Sequence, residues 1–160
     1  MSIILDQPLV IEVSGPDAGK ILHNLTTNHI QSIKVAESME SFVTDVRGWT
    51  VAHGLVYRAE QDRWLLVGQH PNSATVCSHV DRYIIREKAA VKDLSASSSV
   101  ELQTTISVGL DEMPGSIDTV EHSTAAQHSA AAVGVASINV PFSAVGQSAR
   151  LVVQVDRSPV

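Results

Sequence analysis

Cysteine is almost absent: Cys77 is the only one in 160 residues. No intrachain disulfide can form, and the Cys-rich metal motifs are excluded. Aromatic residues make up 4% of the chain, so a core must be assembled from Val, Ile, Leu and Ala. Positive charge is in deficit, with 11 Lys and Arg against 17 Asp and Glu and a net charge of −6. That balance disfavours nucleic acid and anionic membranes as general partners, since both call for a basic surface. No uncharged apolar run reaches the roughly 18 residues of a membrane-spanning helix. The opening segment MSIILDQPLVIEV lacks a basic stretch and meets a charge at Asp6, unlike a secretory signal. The expectation is a cytoplasmic protein with neither nucleic-acid nor membrane partners.

What is present reads as a folded protein. An apolar share of 44% and a charged share of 18% are globular values. The length suits one full domain with part of a second, and a chain of this size buries roughly 70% of its unfolded surface.

Residues 9–13 (LVIEV) read as a strand. Ser14-Gly15-Pro16-Asp17 follows as a helix start, with Pro early and an acid in the first turn. Ile21, Leu22 and Leu25 share one side of that helix, and Thr26-Thr27-Asn28 ends it. Residues 41–46 and 49–58 are extended, joined by Asp45-Val46-Arg47-Gly48, where Gly48 permits a positive φ. Residues 63–67 (RWLLV) form the next strand after the polar turn Glu60-Gln61-Asp62. Pro71-Asn72-Ser73 opens a second helix, in which Val76, Val80, Tyr83 and Ile84 repeat at the spacing of one buried face. Residues 89–94 make a last strand of this unit.

The order strand, helix, two or three strands, helix, strand predicts an α+β fold. It is the ferredoxin-like split βαβ arrangement, an antiparallel sheet with helices on one face. Two modules are expected, 1–94 and 95–160, the second a partial α+β unit. The run Ser95-Ala96-Ser97-Ser98-Ser99 reads as a linker between them. Beyond it, a strand is expected over 100–110, a short helix around 122–132 and a final strand over 151–155. The chain stops soon after that strand, as a module cut short would.

Three motif readings reduce to structure. Gly15-Pro16-Asp17-Ala18-Gly19-Lys20 has three residues between its glycines and Ile21 after the Lys; a phosphate loop needs four, then Ser or Thr. Cys77 and His79 lie two apart, which turns them away from each other on a helix, so Cys77 is expected to be a buried structural thiol and not a nucleophile. The seven histidines show no metal-ligand spacing.

The ordered set of segments resembles one family. Residues 11–18 with Ile21-Leu22-His23-Asn24-Leu25-Thr26-Thr27-Asn28 are similar to the opening strand and helix of the glycine-cleavage T-protein/YgfZ folate-binding family. The Arg47-Gly48 loop, Leu55-Val56-Tyr57-Arg58 and Trp64-Leu65-Leu66-Val67 are similar to its central hairpins. Residues 79–88 (HVDRYIIREK) resemble its second helix, in the version closest to the YgfZ branch. The resemblance covers about residues 8–94.

It implies tetrahydrofolate as the small-molecule partner, in a central channel, and either an aminomethyltransferase or a YgfZ-type accessory protein linked to iron–sulfur enzymes, with a protein partner possible. Two departures weigh against transfer chemistry. Where T-proteins carry an acidic pair, this chain has Ala52 and His53; where they place an Asn after the next strand, Gly68 follows Val67. The YgfZ cysteine motif has no match, since Cys77 lies in the context Thr-Val-Cys-Ser-His. The reading is therefore a folate-binding accessory module, with an aminomethyltransferase fragment and a ligand-free interaction module as alternatives. The resemblance puts Asp45 and Arg47 at the channel border, against plain turn chemistry. It offers Tyr57 for stacking on a pterin or aminobenzoyl ring and Arg58 for a glutamate-tail carboxylate, against simple strand-end packing. Asp81, Arg82, Arg86, Glu87 and Lys88 read as a solvated, ion-paired helix face.

Overall fold

A computed structural model of the chain describes residues 2–106, 133–140 and 147–156. Strands β1 (Ser2–Ile4) and β2 (Pro8–Ser14) lead into helix α1 (Ala18–Leu25). Then come β3 (Ser38–Thr44), β4 (Thr50–Glu60), β5 (Arg63–Gln69), α2 (Ser73–Asp81) and β6 (Ala90–Asp93). Strands β7 (Ser98–Ile106), β8 (Val133–Val140) and β9 (Gln147–Asp156) complete the described elements. The α+β, ferredoxin-like expectation holds. The main sheet has the order β3-β4-β5-β2-β6 and is antiparallel throughout.

Alternation along the strands sorts this sheet's two faces. Leu9, Ile11 and Val13 of β2, Val43 of β3, Ala52 and Val56 of β4, and Trp64 and Leu66 of β5 point one way. There they meet Ile21, Leu22 and Leu25 of α1 and Val76 and Val80 of α2. Val10, Leu55, Leu65 and Val67 point the other way and meet Leu94, Val100 and Val153. Both faces are therefore apolar, which is why β2 and β5 read as near-continuous hydrophobic runs and not as alternating ones.

The second face is covered by another antiparallel sheet, of order β1-β7-β9-β8. After a single 3-10 turn at Ser95–Ser97, the described part of residues 98–160 consists of strands, and β1 joins them by pairing Ile3 with Leu102. The helix expected around 122–132 lies outside the described residues.

Local chemistry differs from expectation in three places. Helix α1 begins at Ala18, so Pro16 and Asp17 precede it and its first turn holds no acid; the Asp17 carboxylate instead accepts the Lys88 backbone N–H at 2.8 Å, tying the start of α1 to the approach of β6. Helix α2 ends at Asp81, capped at its start by Asn72, whose side chain accepts the Thr75 N–H at 3.1 Å. Arg86, Glu87 and Lys88 therefore lie in the loop after the helix and form no helical charge face. Finally, the serine run at 95–99 is no loose tether. Ser95 is buried, and its hydroxyl accepts the Val10 N–H at 2.9 Å.

Candidate functional site

A groove of about 450 Å³ opens between the two sheets. Its floor is Leu55 of β4 and Val67 of β5, both buried. Leu5, held by its N–H to the Val100 carbonyl at 2.9 Å, and Leu102 of β7 line it from the second sheet. Gly54 and Gly68 face each other across β4 and β5 at its base. The backbones run so close there that a Cβ on Gly54 would stand 2.4 Å from the Val67 oxygen, and one on Gly68 2.5 Å from the His53 oxygen. Glycine at both positions follows from that contact.

Three polar side chains border this apolar space: Glu40 of β3, His53 of β4 and Gln69 at the end of β5. Register explains the meeting of the first two. Strand β3 pairs Phe42 with His53 and Glu40 with Leu55, so Glu40 and His53 are diagonal neighbours on one face, within reach of long side chains. Their Oε1 and Nε2 atoms lie 2.8 Å apart. The imidazole also stacks on Phe42, with ring centroids 4.5 Å apart at 30°. Such a lining suits a flat, largely apolar ligand carrying hydrogen-bonding groups along one edge.

The four residues singled out in the sequence are not brought together. Tyr57 shares the face of His53 and Leu55 and packs, half-buried, beside Leu5 and Leu102 on the core that joins the sheets. Arg58 points to the helix side. Its Nη1 donates to the Ile33 carbonyl and its Nη2 to the Gln61 carbonyl, each at 3.0 Å. Its guanidinium lies 4.9 Å from the centre of the Trp64 ring. Asp45 and Arg47 are at the β3–β4 hairpin tip, where Asp45 Oδ1 accepts the Arg47 and Trp49 N–H groups at 2.9 Å each. Glu40, Leu5, Gln69 and Leu102 were not signalled by the sequence, because a groove between two sheets draws on chain segments far apart.

A second, smaller cleft of about 290 Å³ lies between α1 and the loop after α2, with Lys20, Asn24, Tyr83 and Glu87 among its walls. The Glu87 carboxyl is held below its usual range by the backbone N–H groups of Arg86 and Ile85. Cys77 is half-buried against the helix-side core. Burial, with the Asp93 and Asp81 carboxylates nearby, raises its thiol pKa, opposite to what a nucleophile needs. Among the described residues no group of three or more His, Cys, Asp or Glu side chains is placed to hold a metal, and no helix is long and apolar enough to cross a membrane.

Comparison with known proteins gives a consistent result. A sequence profile described as the GCVT N-terminal domain matches residues 7–106. Two curated proteins described as probable aminomethyltransferases, from Halobacterium salinarum strains R1 and NRC-1, are each 33% identical over 90 residues, covering 54% of this chain and 23% of theirs. The chain thus spans about a quarter of the length of these relatives, at 23%. The crystal structure of glycine cleavage system aminomethyltransferase T from Bartonella henselae superposes with a TM-score of 0.57 at 17% identity, over 63% of this chain and 27% of that one. That last likeness is one of fold.

Proposed function

The chain belongs to the GCVT N-terminal domain family, and from that premise we propose that it binds tetrahydrofolate in the groove between its two sheets. The observation that carries this reading is the groove's make-up. An apolar floor of Leu55 and Val67 lies beneath a polar edge of Glu40, His53 and Gln69. About 450 Å³ is within the range of small-molecule sites, roughly 300–1,000 Å³. The pyrimidine half of a reduced pterin is flat, and its edge carries N–H groups. Leu5, Leu55, Val67 and Leu102 would hold its faces, and His53, itself bonded to Glu40, and Gln69 would meet its edge. Tyr57, on the same face of β4, is the remaining ring available for stacking. Asp45 and Arg47 would form an outer rim at the hairpin tip.

The same reading makes the chain a binding module and not a complete transferase. At the positions of the family's acidic pair stand Ala52, buried on the helix side, and His53. An accessory role of the YgfZ type, in support of iron–sulfur enzymes, accords with the resemblance of residues 79–88. A second reading, an aminomethyltransferase fragment, is favoured by one observation: Glu40 still brings a carboxylate to the groove, 2.8 Å from His53.

Titration calorimetry with tetrahydrofolate under reducing conditions tests the proposal. Saturable heat at micromolar to millimolar ligand is expected. No heat at millimolar ligand would leave a ligand-free interaction module. An aminomethyl-transfer assay on the same protein separates binder from enzyme, and turnover would favour the second reading.

A further inference from the structure

We propose that Glu40 is a positioning residue that acts through His53, and that the pair presents the groove with a fixed hydrogen-bond acceptor, the imidazole Nδ1, for a ligand N–H. The inference rests on the folate-groove reading and names which atoms in it select the ligand.

The chemistry begins with the contact between Nε2 of His53 and Oε1 of Glu40, at 2.8 Å. An ionised carboxylate only accepts hydrogen bonds, so the proton between them sits on Nε2. A neutral imidazole with its proton on Nε2 has a lone pair on Nδ1. Phe42 stacks against one face of the same ring at 4.5 Å, so the imidazole is restrained in its plane by stacking and about its axis by the carboxylate.

Location gives those restraints a purpose. Both Glu40 and His53 line the groove, while its floor and far wall are aliphatic. A hydrogen bond this exposed, with about half of each side chain in solvent at 54% and 49%, adds little to folding stability. Orientation of the imidazole is what the arrangement achieves. It also answers the departure noted in the sequence. The carboxylate missing at positions 52 and 53 is supplied from β3, one strand away, and reaches the groove through His53.

The test combines a ligand-free measurement with a binding cycle. Imidazole 15N NMR on the protein alone reports the tautomer. His53 is expected with its proton on Nε2 in the wild type, and as a mixture in Glu40→Ala. Tetrahydrofolate titrations on the wild type, Glu40→Ala, His53→Ala and the double variant then measure coupling. Each single change is expected to weaken binding up to about tenfold, as loss of one hydrogen bond does, and the double variant no further. Glu40→Gln keeps an acceptor oxygen and is expected to stay within about threefold of the wild type. A wild-type imidazole protonated on Nδ1, or binding that ignores both substitutions, or losses that simply add, would overturn the pair. Absence of heat from the wild type overturns the folate reading itself, a separable result, because the tautomer is read without ligand.

Discussion

Ser95 completes the hydrogen bonding of Val10 across 85 residues of sequence: its hydroxyl accepts the Val10 N–H at 2.9 Å and lies 3.4 Å from the Val10 carbonyl. The next residue back, Leu94, donates its own N–H to that carbonyl at 2.8 Å. The site is buried, so Val10 N–H has no solvent to fall back on. Ser95→Ala is therefore expected to cost about 1–3 kcal/mol, the range for orphaning a buried donor. A lower urea midpoint at unchanged slope would show it; an unchanged midpoint would mean that another group satisfies Val10.

The Gly54–Gly68 crossing makes a steric prediction. A methyl on Gly54 meets backbone, 2.4 Å from the Val67 oxygen, and backbone cannot swing aside as a side-chain tip can. Gly54→Ala is expected to destabilise by about 1–3 kcal/mol through overpacking. Gly48 is the informative contrast. It has φ of 80° and no atom within 4 Å of an added Cβ, so Gly48→Ala should cost only the left-handed backbone term, about 1 kcal/mol. Thermal unfolding of the two variants side by side ranks them; equal losses would refute the steric argument.

Acid sensitivity follows from Asp93. Burial alone would raise its carboxyl pKa, but hydrogen bonds from Ser95 and Ser73 outweigh it and hold the group below its ordinary value. Ser73 Oγ donates to Oδ2 at 2.7 Å and Ser95 N–H to Oδ1 at 2.9 Å. A carboxyl lowered in the folded state contributes stability above its unfolded pKa, near about 4, and loses it as pH falls through the folded value. Asp93→Asn should thus be less stable at neutral pH and show a shallower stability loss below about pH 4 than the wild type. Parallel curves for the two proteins would remove Asp93 from the account.

Cys77 should be slow to alkylate. Its raised thiol pKa, from burial and the neighbouring Asp93 and Asp81, leaves little thiolate at neutral pH. Iodoacetamide labelling is expected to be several-fold slower in the native protein than in urea. Equal rates would contradict both the burial and the electrostatics.

How far the sequence could be read depended on how local each signal was. Strand β2, helix α1 and the β3–β4–β5 hairpins announce themselves in contiguous residues, and their cores fall where the patterning put them. Tyr83 and Ile84 kept the helical spacing beyond the end of α2, yet they only pack beside it. Strand β1 is three residues long and becomes a strand only against β7, so nothing local marks it. The serines at 95–99 look like a linker in composition, because a side chain replacing a strand partner leaves no compositional trace. The resemblance offers Arg58 to a glutamate-tail carboxylate, whereas the β4–β5 hairpin folds it over Trp64 and onto two carbonyls. Glu40 and His53 are 13 residues apart, and only the register of β3 against β4 puts them side by side.

The shared apolar face of the main sheet has a consequence for how the chain comes off the ribosome. All five of that sheet's strands lie within residues 8–93, so it can assemble before β8 and β9 are made. Its second sheet cannot, because β7 needs β9 from the far end of the chain as well as β1 from the near one. Between the two events Val10, Leu55, Leu65 and Val67 face water on a half-clad sheet. Such transiently exposed surface is where nascent chains stick to one another.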